Sequence, residues 1–347
     1  MKALVKEKPE PGIALREVAD PSPKPGEVIV DVKACGISGS EVARYLWTPA
    51  YHAGGAKDMT RDLPRIMGHE FSGTVGAVGP GVEGLTVGER VVVQSVVGCG
   101  SCEYCDDGYP NLCGRRRTIG VNMDGGFAEY AAVPVQNVYR IPDEVSLEVA
   151  ALMQPFAIGT YAVEVAGIQP GNRVGVWGVG AVGTSIIQSA QLAGAAVEFA
   201  VGRSAPRLEA VRALGVAHTI SVNDTQPEQF LARTFGRGSL DVVFEASGSA
   251  RALGASFPIL KKRGRLVLVG NLKEAVNLDL LPVIMDHIHI LSVRTYSLSA
   301  WRRALAVIGG VRSDQSELVL RRIPLSDGAG AFAQAAAGAG VKFVIEP

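Results

Sequence analysis

The chain has 347 residues, of which 47% are hydrophobic and 20% charged, with 34 basic and 34 acidic side chains in balance. This is a globular composition with apolar material enough for two domains, and zero formal net charge argues against the basic field that a nucleic-acid binder needs. No apolar run reaches the roughly 18 residues of a membrane span, and the opening MKALVKEKPEPG has no apolar segment of the secretion-signal kind, so a cytoplasmic protein is expected.

In chain order, residues 1–150 carry short β-like runs broken by Gly and Pro, such as Val28–Val32, Gly73–Val78 and Arg90–Ser95. Their spacing predicts an all-β, barrel-like unit with long loops. One such loop, Tyr45–Arg65, holds Tyr45, Trp47, Tyr51 and His52, and loops of this length are often functional; some of these rings are expected to line a pocket. Over 151–290 the rhythm changes. Strand-like Arg173–Trp177, Val197–Val201, Asp241–Ala246, Arg265–Val269 and Ile288–Val293 alternate with helical stretches such as Ala181–Gly194 and Ala205–Leu214. Alternation of this kind predicts a parallel sheet with helices on both faces. Residues 291–347 hold one helical stretch, Ala300–Ile308, and end in VKFVIEP, a strand-like run that can rejoin the first unit. Tyr296 and Trp301 are read as a subunit contact.

Two motifs carry chemistry. Four of the five cysteines form Cys99-x2-Cys102-x2-Cys105-x7-Cys113. Disulfides are rare in the cytosol, and x2 spacings let sulfurs converge on one Zn²⁺, whose closed four-thiolate sites are structural. The adjacent Arg115, Arg116 and Arg117 read as a solvated face. The fifth cysteine, Cys35, reads as core.

The second motif is Gly178-Val179-Gly180-Ala181-Val182-Gly183, between the strand Arg173–Trp177 and a helix. In that context the glycines serve a tight turn, the approach of a pyrophosphate and helix–strand packing, while the helix N-terminus faces the phosphates. An NAD site usually ends its second strand in an acid. Here Gly202 is followed by Arg203 and Ser204, with Arg207 one turn on, a set that suits the 2′-phosphate of NADP(H).

These stretches, with GISGSE (36–41), GHEFSGTVGAVGPGV (68–82), GERV (88–91), DGGFAEYAAVP (124–134) and VWGVGAVG (176–183), make the chain resemble the medium-chain zinc-containing alcohol and polyol dehydrogenases over essentially its full length. The resemblance implies a GroES-like barrel domain over 1–150 with a structural zinc lobe, a doubly wound Rossmann domain over 151–290, and a return to the first domain over 291–347. It also implies an active site in the cleft between domains and a homodimer or homotetramer. For catalysis it implies a zinc at His69 and Glu70 and a proton-relay hydroxyl at Ser40. Two ligand positions depart from the family: its Cys falls on Ser38, and the Glu of its polyol branch falls on Gln154. The family's Asp falls on Glu41, which the resemblance implies would orient His69. A set of His69, Glu70, Ser38 and Gln154 would hold zinc weakly, because a hydroxyl is a poor ligand and two negative charges are gone.

The function expected is therefore NADP(H)-dependent hydride transfer to or from a small alcohol or carbonyl substrate. Two alternatives stay open. One is a reductase without catalytic zinc, acting on a conjugated C=C or an iminium bond with Ser38, Ser40 or Gln154 as hydrogen-bond donors and His69 as proton donor. The other is a non-enzymatic NADPH-binding protein.

Overall fold

A computed structural model describes residues 1–48, 63–272, 275–310, 320–338 and 342–347. The chain divides into two units, one of Met1–Gln154 with Leu305–Pro347 and one of Pro155–Ala304.

The first unit is built on the strand Glu27–Gly36, whose residues Val28, Val30 and Val32 are buried in a core with Phe71, Phe127, Phe332 and Phe343. It pairs antiparallel with Phe71–Val78, in a register that sets Cys35 opposite Phe71. That register brings the segment after Cys35 beside the residues before Phe71, so the Gly36 N–H donates to the Glu70 carbonyl at 2.8 Å. The C-terminal strand Lys342–Glu346 also joins Glu27–Gly36, antiparallel, with Val344 opposite Gly36. The sheet runs Val138–Arg140, Arg90–Val93, Phe71–Val78, Glu27–Gly36, Lys342–Glu346, Leu320–Pro324, with Tyr130–Pro134 also paired to Glu27–Gly36. A three-stranded sheet of Ala14–Glu17, Lys2–Lys6 and Arg65–Ile66 lies beside it in the same unit.

The second unit holds a six-stranded parallel sheet in the order His218–Ser221, Ala196–Gly202, Arg173–Trp177, Leu240–Glu245, Leu260–Leu268, His289–Ser292. The first three strands run outward from Arg173–Trp177 to one side and the rest to the other, which is the doubly wound arrangement. Both faces are apolar. Val174, Val176, Ile186 and Phe244 belong to one buried cluster, and Trp177, Phe199, Leu231 and Val243 to another. Strands covered on both sides read as near-continuous hydrophobic runs, as RVGVW and LDVVFE do.

Among the described residues no helix is long and apolar enough to cross a membrane. Tyr296 and Trp301 do not form a surface: both are fully buried within the chain, their rings 5.1 Å apart. Tyr45 is half-buried and stacks on the core residue Phe332 at 5.5 Å. Trp47 covers the buried Lys6 ammonium at 5.2 Å. Tyr51 and His52 lie outside the described residues.

Candidate functional site

The cysteine lobe follows the strand Val96–Val97. Cys102 is the N-cap residue of the short helix Glu103–Asp106, and Cys113 follows the 3₁₀ turn Pro110–Leu112. These turns bring the four sulfurs within 4.8 Å of one another, with Cys113 buried and the others half-buried. A tetrahedral ion with Zn–S bonds of about 2.3 Å needs sulfurs roughly 3.8 Å apart, so the four thiols of the lobe fit a closed zinc site. Without a metal the thiols compete for protons. The Ser101 backbone N–H draws Cys99 down to about 6. At Cys102 the Cys105 N–H pulls the same way, but burial and the neighbouring sulfurs outweigh it and push that thiol up to about 12. Arg115 is not a merely solvated charge: its guanidinium donates to Cys99 Sγ at 3.2 Å and its N–H to Cys113 Sγ at 3.3 Å. Arg116 donates to the Asn111 carbonyl at 2.9 Å.

The glycine motif is a close-packed turn. Gly178 has φ +95°, and a Cβ there would meet the Ala246 carbonyl at 2.9 Å. A Cβ on Gly183 would lie 1.8 Å from the Gly178 carbonyl oxygen, so only glycine lets this helix start against the strand end. Gly180 is the N-cap of the helix Ala181–Leu192 and offers no side-chain cap. The first N–H groups of that helix, through Ala181, Val182 and Gly183, therefore suit an anion. Over this turn sits a guanidinium: the nearest atom to a Cβ on Gly180 is Arg207 Nη1 at 4.0 Å. Burial, with the charge of nearby Arg203, holds Arg207 below the ordinary arginine value. Ser204 caps its own helix, Ala205–Ala213, by accepting the Arg207 N–H. Gly202 has a packing reason to lack a side chain, since a Cβ there would strike Val179 at 2.2 Å. The helix start without a side-chain cap and the Arg207 guanidinium beside it suit the phosphates of a dinucleotide.

The third cluster joins Ser38, Ser40, Glu41, His69 and Glu70. Ser38 is the N-cap of the helix Gly39–Tyr45 in a reciprocal capping box: its Oγ accepts the Glu41 N–H at 3.1 Å, and its N–H donates to Glu41 Oε2 at 2.7 Å. Ser40 Oγ lies 2.9 Å from Ser38 Oγ. The second Glu41 oxygen accepts the His69 N–H at 3.0 Å and stands 2.8 Å from His69 Nδ1. Burial penalises the charged imidazole, but the Glu41 carboxylate outweighs it and raises the His69 pKa. For Glu41 burial works against ionisation and His69 works for it, with a net lowering. His69 Nε2 is 4.0 Å from Glu70 Oε1, and the other Glu70 oxygen is paired with the buried Lys342 ammonium, which also donates to the Ile37 carbonyl at 2.9 Å. A Cβ at Gly36 would meet that Glu70 oxygen at 2.9 Å and the Lys342 side chain at 3.0 Å, so a larger residue would have to displace the pair. Gln154 is buried, and its Oε1 accepts from Ser95 Oγ at 2.9 Å. Cys35 is fully buried, and burial pushes its thiol well up.

Lys342 was invisible to sequence reading. It lies 272 residues from Glu70, and only the pairing of the last strand with Glu27–Gly36 brings it in. Arg115 is local to the cysteine motif, two residues after Cys113, so its contact lay within reach of a sequence reading.

The fold and the two glycine- and cysteine-rich sites define a dinucleotide-dependent dehydrogenase. The model of the alcohol dehydrogenase GroES-like domain matches residues 24–143, and that of the zinc-binding dehydrogenase matches 181–309. The chain is 35% identical over 280 residues to an L-threonine 3-dehydrogenase of Pyrococcus furiosus, covering 80% of this chain and 78% of that one. Among solved structures, a putative zinc-binding dehydrogenase of Sinorhizobium meliloti 1021 bound to NADP superposes with TM-score 0.87 at 28% identity, covering 100% and 99% of the two chains. An alcohol dehydrogenase of Escherichia coli CFT073 complexed with NADH gives 0.87 at 27% identity, with the same coverage. The chain belongs to the medium-chain, zinc-type alcohol and polyol dehydrogenase family and is an enzyme of that class.

Proposed function

We propose that this dehydrogenase uses NADP(H) and moves hydride between the nicotinamide and an alcohol or carbonyl substrate of the polyol or secondary-alcohol type. The observation that carries the cofactor choice is Arg207, held over the glycine turn beside Arg203 where an NAD enzyme would keep an acid. When bound, the cofactor supplies or accepts the hydride. The residues of this chain do the rest. N–H groups of Gly180 to Gly183 hold the diphosphate, and Arg203 and Arg207 hold the 2′-phosphate by charge-assisted hydrogen bonds. Ser204 starts the helix that presents Arg207. On the substrate side, Ser40 and His69 relay the proton that an alcohol loses or a carbonyl gains, and Glu41 holds the imidazole through Nδ1, leaving Nε2 for the exchange.

A second reading, reduction of a conjugated C=C or an iminium bond, draws support from the Ser38 cap and the Glu70–Lys342 pair, which leave the site poor in the ligands that a Lewis-acid metal requires. Turnover of NADPH with secondary ketones against enones separates the two. We also read the chain as a homo-oligomer, homodimer or homotetramer. Leu281, Ile284 and Met285 are 62%, 66% and 69% exposed next to the edge strand His289–Ser292, an apolar patch of the kind that copies cover.

The cofactor assignment is tested by Arg207→Ala. Its affinity for NADPH, followed by nucleotide fluorescence, is expected to fall about 10- to 100-fold with that for NADH nearly unchanged, as loss of a charge-assisted pair implies. Equal losses for both nucleotides would sink the assignment.

A further inference from the structure

We propose that the His69 site works without a metal, so that the chain holds zinc only in its cysteine lobe. The inference deepens the oxidoreductase reading, yet what it claims about metal content stands on donor chemistry alone.

A catalytic zinc needs three protein ligands and an open position, with anionic ligands to balance the ion. At this site each candidate is either neutral or already engaged. Ser38 presents a hydroxyl where the family has a thiolate, and that oxygen accepts the Glu41 N–H and contacts Ser40. Gln154 presents an amide where the polyol branch has a carboxylate, and its oxygen accepts from Ser95. Glu70 keeps its carboxylate, but the Lys342 ammonium is paired with it inside the protein. His69, with Nδ1 on Glu41 and Nε2 facing the site, is the one position that a zinc could use as it stands, and one imidazole is too few.

Charge makes the case sharper than geometry does. A ligand set of thiolate, histidine and carboxylate neutralises Zn²⁺. Here the only anion among the four ligand positions is Glu70, and Lys342 cancels it. Glu41, the carboxylate beside His69, is the one further anion of the cluster, so a dication placed there together with Lys342 would be buried only partly balanced, and burying unbalanced charge costs several kcal/mol per ion. Among the described residues, the one group of three or more metal-capable side chains whose ligand atoms converge is the cysteine lobe. Polarisation of the substrate oxygen then falls to hydrogen-bond donors, the Ser40 hydroxyl and His69.

The experiment counts zinc in the full-length protein by plasma mass spectrometry after growth with added zinc. Ser38→Cys and the double variant Ser38→Cys/Gln154→Glu are measured beside it. One zinc per chain is expected in the unmodified protein. Two are expected in the double variant, which restores both anions, and its cobalt-loaded form should show added thiolate-to-cobalt absorption. The zinc retained in the lobe reports that the variants are folded. Two zincs in the unmodified protein, with one lost in His69→Ala, would overturn the inference. So would a double variant that stays at one. NADPH binding is scored separately: failure there removes the oxidoreductase reading and leaves the metal count untouched.

Discussion

Cys99, Cys102, Cys105 and Cys113 turn four sulfurs toward one point, whereas Ser38, Glu70 and Gln154 each engage another part of the protein. Both regions have the side-chain types from which metal sites are made. In the lobe the sulfurs compete for protons, and a cation would resolve that competition. Around His69 the other candidate donors are engaged internally, Ser38 in a capping box, Glu70 in a buried ion pair and Gln154 in an amide–hydroxyl bond. What separates the two is therefore less the presence of ligands than whether they have anything else to do. Buried polar groups demand partners, and groups already satisfied give a metal little to gain.

This contrast can be broken at several points. The largest effect is expected from Cys113→Ser. Structural zinc supplies roughly 10–16 kcal/mol in small zinc domains, so this variant should lose its zinc and melt many degrees lower, as zinc analysis and calorimetry would show. Zinc retained at full stoichiometry would mean that the lobe does not bind through all four sulfurs. Next is His69→Ala. An acid–base group contributes about 10²- to 10⁴-fold, so kcat should fall in that range while the zinc count stays constant; a parallel loss of zinc would make His69 a ligand after all.

The His69–Glu41 pair gives a pH signature. The His69 pKa is raised in the folded protein, so its contribution to stability is full below the ordinary histidine range and lost as pH rises through the raised value. The Glu41 pKa is lowered, so its contribution is present above the ordinary carboxylate range and lost as pH falls through the lowered value. The stability gap between the unmodified protein and His69→Asn should therefore be widest between those two limits and shrink on both sides. A gap independent of pH in denaturant titrations would refute the pairing. The smallest effect is that of Ser38→Ala. Removing an N-cap hydroxyl costs about 1 kcal/mol, and if the proposed metal-free site holds, the same loss should appear with or without a chelator.

Much of the second unit was legible in its sequence. Arg173–Trp177 was read with the bounds the structure has, because a strand covered on both faces is an unbroken apolar run that ends where Gly178 turns. The helix Met153–Ala166 escaped, since most of its residues are buried and no polar stripe marks its period. Short His218–Ser221 escaped as well, with too few residues to establish any period. In the site, local motifs such as the cysteine spacing and the glycine turn were plain. The fates of Tyr45 and Trp301 were not, because whether a ring packs inward depends on elements far along the chain.

Residue types and their local spacing alone determined the family, the four-sulfur lobe and the glycine turn, because each is a contact among near neighbours in the chain. Tertiary structure decided what the remaining donors are free to do. Lys342 reaches Glu70, and Ser95 reaches Gln154, only through strands and segments that folding brings together. Whether a carboxylate or an amide is open to a ligand depends on those distant partners, since a buried polar group binds whatever neighbour the fold supplies.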